Sequence, residues 1–213
     1  MNKRKKVASY QNRLNKSLAN FKRDTKGHSM TVRMDNGVHR DLKFSYNNSS
    51  TYHFNITTWP GYLCISGDMG DYVFQRLTDM FEFFRGDAIN PDYWAEKIQA
   101  NNRRGGYERF SFDRLKEAVK TDFDQWEVPR RKKKAAWQAI EDKLFFYMDP
   151  NDERGCIQSV MDYECSLTKQ CFVDFYEHNL KEYTHHFLWC CFAIQWAIKQ
   201  YDAIHPTGGS YEK

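Results

Sequence analysis

Lysine and arginine are the residues in this sequence whose clustering best suits a chemical task, which is the binding of phosphate groups. Nine of these cations lie between Met1 and Lys26, where Asp24 is the single acidic residue. The nine are Lys3, Arg4, Lys5, Lys6, Arg13, Lys16, Lys22, Arg23 and Lys26. The segment therefore has a formal charge of +8, and because the whole chain has +4, the remainder has −4. Cations that neutralise phosphates release counterions, so the pattern predicts salt-dependent binding of nucleic acid or another polyanion.

A second cationic cluster directly follows Pro129, a residue that often opens a helix. Its members are Arg130, Arg131, Lys132, Lys133 and Lys134. Cations at a helix N-terminus oppose the helix dipole by about 0.3–1 kcal/mol each. Either the helix begins later and the cations lie in a solvated loop, or a bound anion compensates the repulsion. Arg103 and Arg104 would extend this patch if the fold brings them near.

Two carboxylates, Asp68 and Asp71, flank the glycine-rich turn from Gly67 to Gly70. Together with phosphate oxygens they could hold Mg²⁺, which would suit a phosphoryl-transfer enzyme. The simpler interpretation is that an aspartate in such a turn accepts hydrogen bonds from the turn's own backbone amides.

His185, His186 and Cys190 are the residues closest to a zinc-ligand pattern, because His186 and Cys190 are one helical turn apart. The alternative is a buried, inert thiol. The sequence contains no CxxC pair, P-loop, GxGxxG, HExxH or GxSxG motif. We therefore expect no catalytic residue, no cofactor and no metal, and we interpret the six cysteines as reduced thiols of a cytosolic protein.

The first 27 residues have the pattern of an amphipathic helix that ends at Gly27. Its apolar stripe consists of Val7, Tyr10, Leu14, Leu18 and Phe21. Three interpretations stay open. The helix is docked on the body with a solvated basic face, or it is an arm for nucleic acid or an acidic partner, or it lies on a membrane surface.

Alternating apolar residues from Ser29 to Gln75, with a hairpin signal at Asp35-Asn36-Gly37, predict an antiparallel β-meander of four to five strands. From Thr78 onward the apolar period becomes helical and predicts about six helices. Their expected starts are Thr78, Asn90-Pro91 (with Trp94 and Ile98 as apolar anchors), Ser111, Pro129, Asp149-Pro150 and Thr168. The last region, Thr168 to Ala203, is expected to be one long helix or two helices broken near Asn179.

The segment from Tyr183 to Tyr201 is apolar almost all round, which is typical of a buried helix. It is too short to span a bilayer, which needs roughly 20 apolar residues. Strands followed by helices predict an α+β fold, with the meander packed against a helical layer. We expect a basic helical arm at 1–27, a single domain at 28–204 and a flexible tail at 205–213.

Aromatic-rich stretches in the middle and near the end of the chain carry a resemblance. Residues 58–74 (TWPGYLCISGDMGDYVF) and 79–85 (DMFEFFR) form the first part, and residues 187–190 (FLWC) and 193–202 (AIQWAIKQYD) form the second. Together they resemble uncharacterised proteins of tailed phages and prophages. The resemblance implies a phage-encoded accessory protein in the bacterial cytoplasm. Such proteins often block host defences, including CRISPR complexes, but the group has no assigned activity from which functional residues could be transferred.

The leading hypothesis is a non-enzymatic protein that presents both cationic clusters to nucleic acid or to a host nucleoprotein complex. The second is a protein-only interaction module, such as a homodimer formed through the N-terminal helix. The third is a metal-dependent phosphoryl-transfer enzyme that uses Asp68 and Asp71. We expect a cytoplasmic protein with no membrane partner, and the sequence leaves its oligomeric state open.

Overall fold

The computed structural model describes residues 3–101 and 105–205, with side chains from Tyr10 onward. Arg103, Arg104 and the predicted tail beyond His205 lie outside this range. The described chain forms two compact units, which we call the sheet unit (residues 8–101, 105–107 and 183–205) and the helical unit (residues 3–7 and 108–182). Each unit has its own hydrophobic core, so the predicted domain at 28–204 contains two cores.

The sheet unit is built on a six-stranded antiparallel meander in which each strand pairs with the next along the chain. The strands are β1 (Ser29–Asn36), β2 (His39–Ser45), β3 (Phe54–Trp59), β4 (Tyr62–Gly67), β5 (Tyr72–Gln75) and β6 (Ile98–Asn101). The predicted α+β class and the meander are confirmed, with six strands in place of four or five.

The sixth strand corrects the prediction of a helix containing both Trp94 and Ile98. The helix there, α3 (Pro91–Ala95), has only five residues, and Asn90 caps it by accepting a hydrogen bond from the Tyr93 amide. Ile98 instead pairs with Phe74 of β5. This pairing gives backbone hydrogen-bond partners to the edge of β5, which a longer helix would have left without them.

One face of the sheet is buried, as the alternation of apolar residues predicts. The register aligns Leu42, Ile56, Ile65 and Tyr72 across β2 to β5, and all four side chains are fully buried. This face packs in one core with a short helix, α2 (Met80–Phe84), and with the long C-terminal helix α7 (His185–Ile204).

Helix α7 is the predicted buried helix, and eleven of its twenty residues are buried. The Thr184 hydroxyl caps it by accepting a hydrogen bond from the Phe187 amide. Near its middle, the Trp189 ring meets Phe54 of the sheet edge to face, with ring centroids 5.7 Å apart.

The N-terminal helix α1 (Lys3–Asp24) packs against α7. Phe21 is buried, and its ring lies 5.1 Å from that of Trp189. The Trp189 indole donates a hydrogen bond to Asp24 at 3.3 Å. Among the described side chains of α1, the apolar stripe therefore packs against α7, as the first of the three interpretations predicts.

The prediction of helix from Thr168 onward was wrong for residues 168–184. This segment contains a 3-10 turn at Phe175–Glu177, and Lys169 and Asp174 have positive φ angles of 60° and 51°. Phe172, Phe175 and Leu180 are buried in the core of the helical unit. The irregular chain buries these three residues at intervals close to the period of a helix, and for that reason the sequence pattern predicted a helix here.

The helical unit contains α4 (Phe112–Gln125), α5 (Arg130–Lys143) and α6 (Glu153–Met161). Ser111 caps α4 as predicted, by accepting a hydrogen bond from the Arg114 amide. Asp152 caps α6, three residues later than the expected start at Asp149. Two short strands, β7 (Glu108–Phe110) and β8 (Lys181–Tyr183), form a separate two-stranded sheet.

A buried ion pair fastens α2 to the sheet. Both terminal nitrogens of Arg40 donate to the Asp79 carboxylate at 2.9 Å, and the guanidinium carbon lies 4.3 Å from the Phe81 ring centroid. Asp79 also caps α2 by accepting a hydrogen bond from the Phe81 amide. Burial alone would raise the pKa of Asp79, but hydrogen bonds from Arg40 and the Phe81 amide, with the charge of Arg40, hold it below the ordinary 3.8.

We predict that Asp79→Asn lowers the free energy of unfolding by about 3 kcal/mol at pH 7, because it leaves the Arg40 charge buried without its partner. Asparagine preserves the cap of α2. Since the folded-state pKa lies below the unfolded value, the stabilisation by Asp79 is complete above about pH 4 and is lost as pH falls through the folded-state pKa. In urea unfolding between pH 7 and pH 2, the difference in the free energy of unfolding between wild type and Asp79→Asn should become smaller toward pH 2. A constant difference would contradict this, and exposed Asp87→Asn serves as the control.

Candidate polyanion-binding surfaces

The first cationic surface lies on the C-terminal half of α1. Lys16, Lys22 and Arg23 are exposed there, and Lys26 is exposed in the turn that follows the helix. Lys16 and Arg23 are seven residues apart, so they share one helix face about 10 Å apart along the axis. Arg23 pairs with Asp24 at 2.9 Å, whereas the other three have no acidic partner within the described residues.

Of the remaining predicted cations of α1, Arg13 contributes less to this surface. The Arg13 guanidinium lies 5.9 Å from the ring centroid of Tyr10, and Arg13 is half-buried. Lys3, Arg4, Lys5 and Lys6 belong to α1, but their side chains lie outside the described part of the chain. Lys22 and Arg23 occupy the last turn, where cations stabilise a helix by interacting with its dipole. Local helix stability therefore accounts for part of this charge.

The second surface is the start of α5, and its charge has no such local explanation. The helix begins at Arg130, so all five cations from Arg130 to Lys134 lie in its first turn and a half. This contradicts the interpretation in which the helix begins after a solvated loop. The first turn contains no acidic residue, and Pro129 offers no side-chain cap. The leading amides of a helix lack acceptors within it, so here the positive end of the dipole coincides with the cations.

Four of these five cations, Arg130, Arg131, Lys132 and Lys134, are exposed. None of the four has an acidic partner within the described residues. The exception in the cluster is Lys133, whose ammonium lies 3.9 Å from the Asp124 carboxylate and 5.7 Å from the Phe123 ring centroid on α4. Lys133 therefore helps to pack α5 against α4 and contributes less to the exposed patch.

Asp68 and Asp71, the two carboxylates of the glycine-rich turn, have different surroundings. Asp68 accepts a hydrogen bond of 2.7 Å from the amide of Tyr52, which is 16 residues away, so the backbone amide that engages it is not one of its own turn. Asp71 is exposed. Among residues 10–101 and 105–205, no group of three or more His, Cys, Asp or Glu side chains is placed to hold a metal ion.

The members of the His185, His186 and Cys190 set differ in their exposure. Both histidines are exposed in the first turn of α7, whereas Cys190 is buried and its thiol faces the Met69 carbonyl at 3.7 Å. Burial, reinforced by the charge of Asp71, raises the pKa of the Cys190 thiol. A buried neutral thiol is a poor nucleophile. All six cysteines are free of disulfide bonds.

Sequence reasoning missed a cleft of about 500 Å³ in the helical unit, between α4 and the irregular segment 171–178. We call it the acidic cleft. Six of the residues that line it are Asp122, Trp126, Phe172, Asp174, Glu177 and His178. Asp122 and His178 are 56 residues apart, and no spacing rule connects them. The one available signal was the excess of acidic and aromatic residues in segment 171–178.

None of the helices described between Lys3 and His205 combines the length and apolar composition needed to cross a membrane. Comparisons with protein-family models, curated proteins and solved structures found no match for this chain. The resemblance to phage proteins therefore stays a prediction.

The charge at the start of α5 has a testable consequence for stability. Arg131→Gln and Lys132→Gln should each raise the free energy of unfolding by about 0.3–1 kcal/mol at low salt, because each removes a cation from the positive end of the dipole. Lys143→Gln, in the last turn of the same helix, should have the opposite effect. Urea unfolding in 20 mM salt measures all three variants. Shifts of the same sign at both ends of α5 would show that the dipole argument is wrong.

Proposed function

We propose that this chain is a non-enzymatic protein that binds nucleic acid, alone or within a nucleoprotein complex. The observation that supports it is the start of α5, where five cations occupy a helix N-terminus that has neither an acidic residue nor a side-chain cap. This arrangement costs the free protein folding stability. A phosphate group at the same place would accept hydrogen bonds from the leading amides and would lower the repulsion between the cations.

Several features favour a polyanion over a small anion. Arg130, Arg131, Lys132 and Lys134 lie within a stretch of five consecutive positions, and successive helix residues differ by 100° in direction. Their side chains therefore spread around the helix end and can meet several phosphates at once. The exposed face of α1 adds a further set of cations. Contacts of this kind bind the backbone of nucleic acid without reading its base sequence.

The phage resemblance adds a biological setting to this proposal. A phage-encoded accessory protein with these surfaces would act in the bacterial cytoplasm on a host nucleoprotein complex, as an inhibitor of host defence comparable to anti-CRISPR proteins. The alternative of a homodimer through the apolar stripe of α1 is less favoured, because Phe21 is buried against α7. The phosphoryl-transfer alternative is less favoured because Asp68 is engaged by the Tyr52 amide.

The test is fluorescence anisotropy with labelled 20-nucleotide single-stranded and duplex DNA and RNA between 50 and 200 mM salt. An α5 variant carries Arg130→Gln, Arg131→Gln, Lys132→Gln and Lys134→Gln. Each lost phosphate contact should reduce the slope of log affinity against log salt by about one, so we expect a reduction approaching four. An α1 variant (Lys16→Gln, Lys22→Gln, Arg23→Gln and Lys26→Gln) measures the contribution of the other surface.

The matched control removes four exposed cations elsewhere, through Lys143→Gln, Arg154→Gln, Lys181→Gln and Lys199→Gln. It changes the net charge by the same amount as the α5 variant. If the control weakens binding as much as the α5 variant, the attraction is a property of net charge and the proposal fails. Wild-type protein that binds none of the four nucleic acids at 50 mM salt also refutes it.

A further inference from the structure

We propose that the acidic cleft of the helical unit binds the guanidinium group of an arginine side chain presented by a protein partner. This inference goes beyond nucleic-acid binding, because it concerns a different surface with the opposite charge. It is supported by the volume of the cleft, the unpartnered carboxylates at its wall, its aromatic surface and the apolar residues beside it.

The carboxylates of Asp174 and Glu177 are available to a ligand. Within the described part of the chain, neither side chain has a hydrogen-bond donor or a cationic partner. None of the described residues that line the cleft is Lys or Arg. A cation that enters would therefore meet these two carboxylates without displacing an existing ion pair.

The third carboxylate, Asp122, is held in place by His178. The His178 Nε2 atom lies 2.9 and 3.1 Å from the two carboxylate oxygens of Asp122. An ionised carboxylate only accepts hydrogen bonds, so Nε2 must carry the proton and donate. This contact fixes the orientation of both side chains, and it leaves Asp174 and Glu177 as the acceptors with unused capacity.

Aromatic surface supplies the second part of guanidinium recognition. The rings of Trp126 and Phe172 both line the cleft, with centroids 4.7 Å apart and planes inclined by 39°. The face of an indole attracts cations, and a planar guanidinium can stack on it while donating to carboxylates at its edge. An ammonium group is more strongly hydrated and lacks this planar geometry, so the cleft favours arginine over lysine.

The surroundings of the cleft favour a protein as the source of the cation. Val173 lines the cleft and is 72% exposed, and neighbouring Tyr176 is 61% exposed. Exposed apolar side chains beside a charged pocket can bury the backbone and flanking residues of a partner, which a free small cation would leave uncovered. The cleft volume of about 500 Å³ is within the range of small-ligand sites and accommodates one arginine side chain.

The experiment uses the full chain and a fluorescein-labelled glycine-serine peptide that contains two arginines. The same peptide with citrulline, which is uncharged and nearly isosteric, is the ligand control. The cleft variant carries Asp174→Asn and Glu177→Gln, and asparagine tolerates the left-handed conformation of residue 174. The matched protein control, Glu141→Gln with Asp142→Asn, removes two exposed acids from α5 of the same unit.

We expect the cleft variant and the citrulline peptide each to weaken binding at least tenfold, and the α5 acid control to change it less than twofold. If the cleft variant and the control variant lose peptide affinity equally, the proposal is overturned. It is also overturned if the arginine peptide does not bind the wild-type chain. Spermidine, a small polyamine cation, tests whether the cleft prefers a cation that belongs to a protein. If it binds as tightly as the peptide and depends equally on Asp174 and Glu177, the cleft is a small-cation site and the protein-partner proposal is wrong.

The outcome is separable from that of the nucleic-acid proposal. The α5 variant (Arg130→Gln, Arg131→Gln, Lys132→Gln and Lys134→Gln) should bind the arginine peptide at least as tightly as wild type. Conversely, the cleft variant should keep full affinity for nucleic acid. Either proposal can therefore fail while the other holds.

Discussion

Burial of the middle of α7, where residues 187–194 are all buried, is the constraint on which the sheet unit depends. A helix of twenty residues with eleven buried positions needs apolar cover from more than one element. The meander provides one layer, and Phe54 meets Trp189 from that side. Helix α1 provides another, where Phe21 packs against the same indole. Because α1 is part of this cover, the exposed cations among its described side chains lie on a helix that is packed against α7. Lys16 and Arg23 therefore keep a defined spacing.

The helical unit places charges of opposite sign on separate surfaces. Its cations gather at the start of α5, where they add to the positive end of the helix dipole. Its unpartnered carboxylates, Asp174 and Glu177, lie in the acidic cleft beside aromatic rings. Neither arrangement of charges improves the stability of the free protein, since like charges repel. Both are consistent with surfaces that meet a partner, and their opposite charges require partners of different chemistry.

Local patterns predicted those parts of the structure that local physics determines. The alternation of apolar residues located five strands, the turn chemistry at Asp35-Asn36-Gly37 located a hairpin, and Ser111 marked the start of α4. Non-local pairing was beyond such patterns. Ile98 belongs to β6 only because the edge of β5 is available to it. Segment 168–184 is irregular because it buries Phe172 and Phe175 without repeating backbone hydrogen bonds. The same limit hid the acidic cleft, since Asp122 and His178 meet only in the folded chain. The cationic start of α5, by contrast, was visible from Pro129 and the five residues that follow it.

The central claim is that the first turn of α5 is where this protein meets phosphate. Backbone amide chemical shifts recorded during titration with a short oligonucleotide test it most directly, because they report on each residue separately. We predict that the largest shifts fall on Arg130 to Lys134, where the amides of Arg130 and Arg131 would donate to phosphate oxygens, because the amides of Lys132 and Lys133 already donate to the Pro129 carbonyl. Saturable binding that leaves these amides unshifted, and moves others instead, would contradict it.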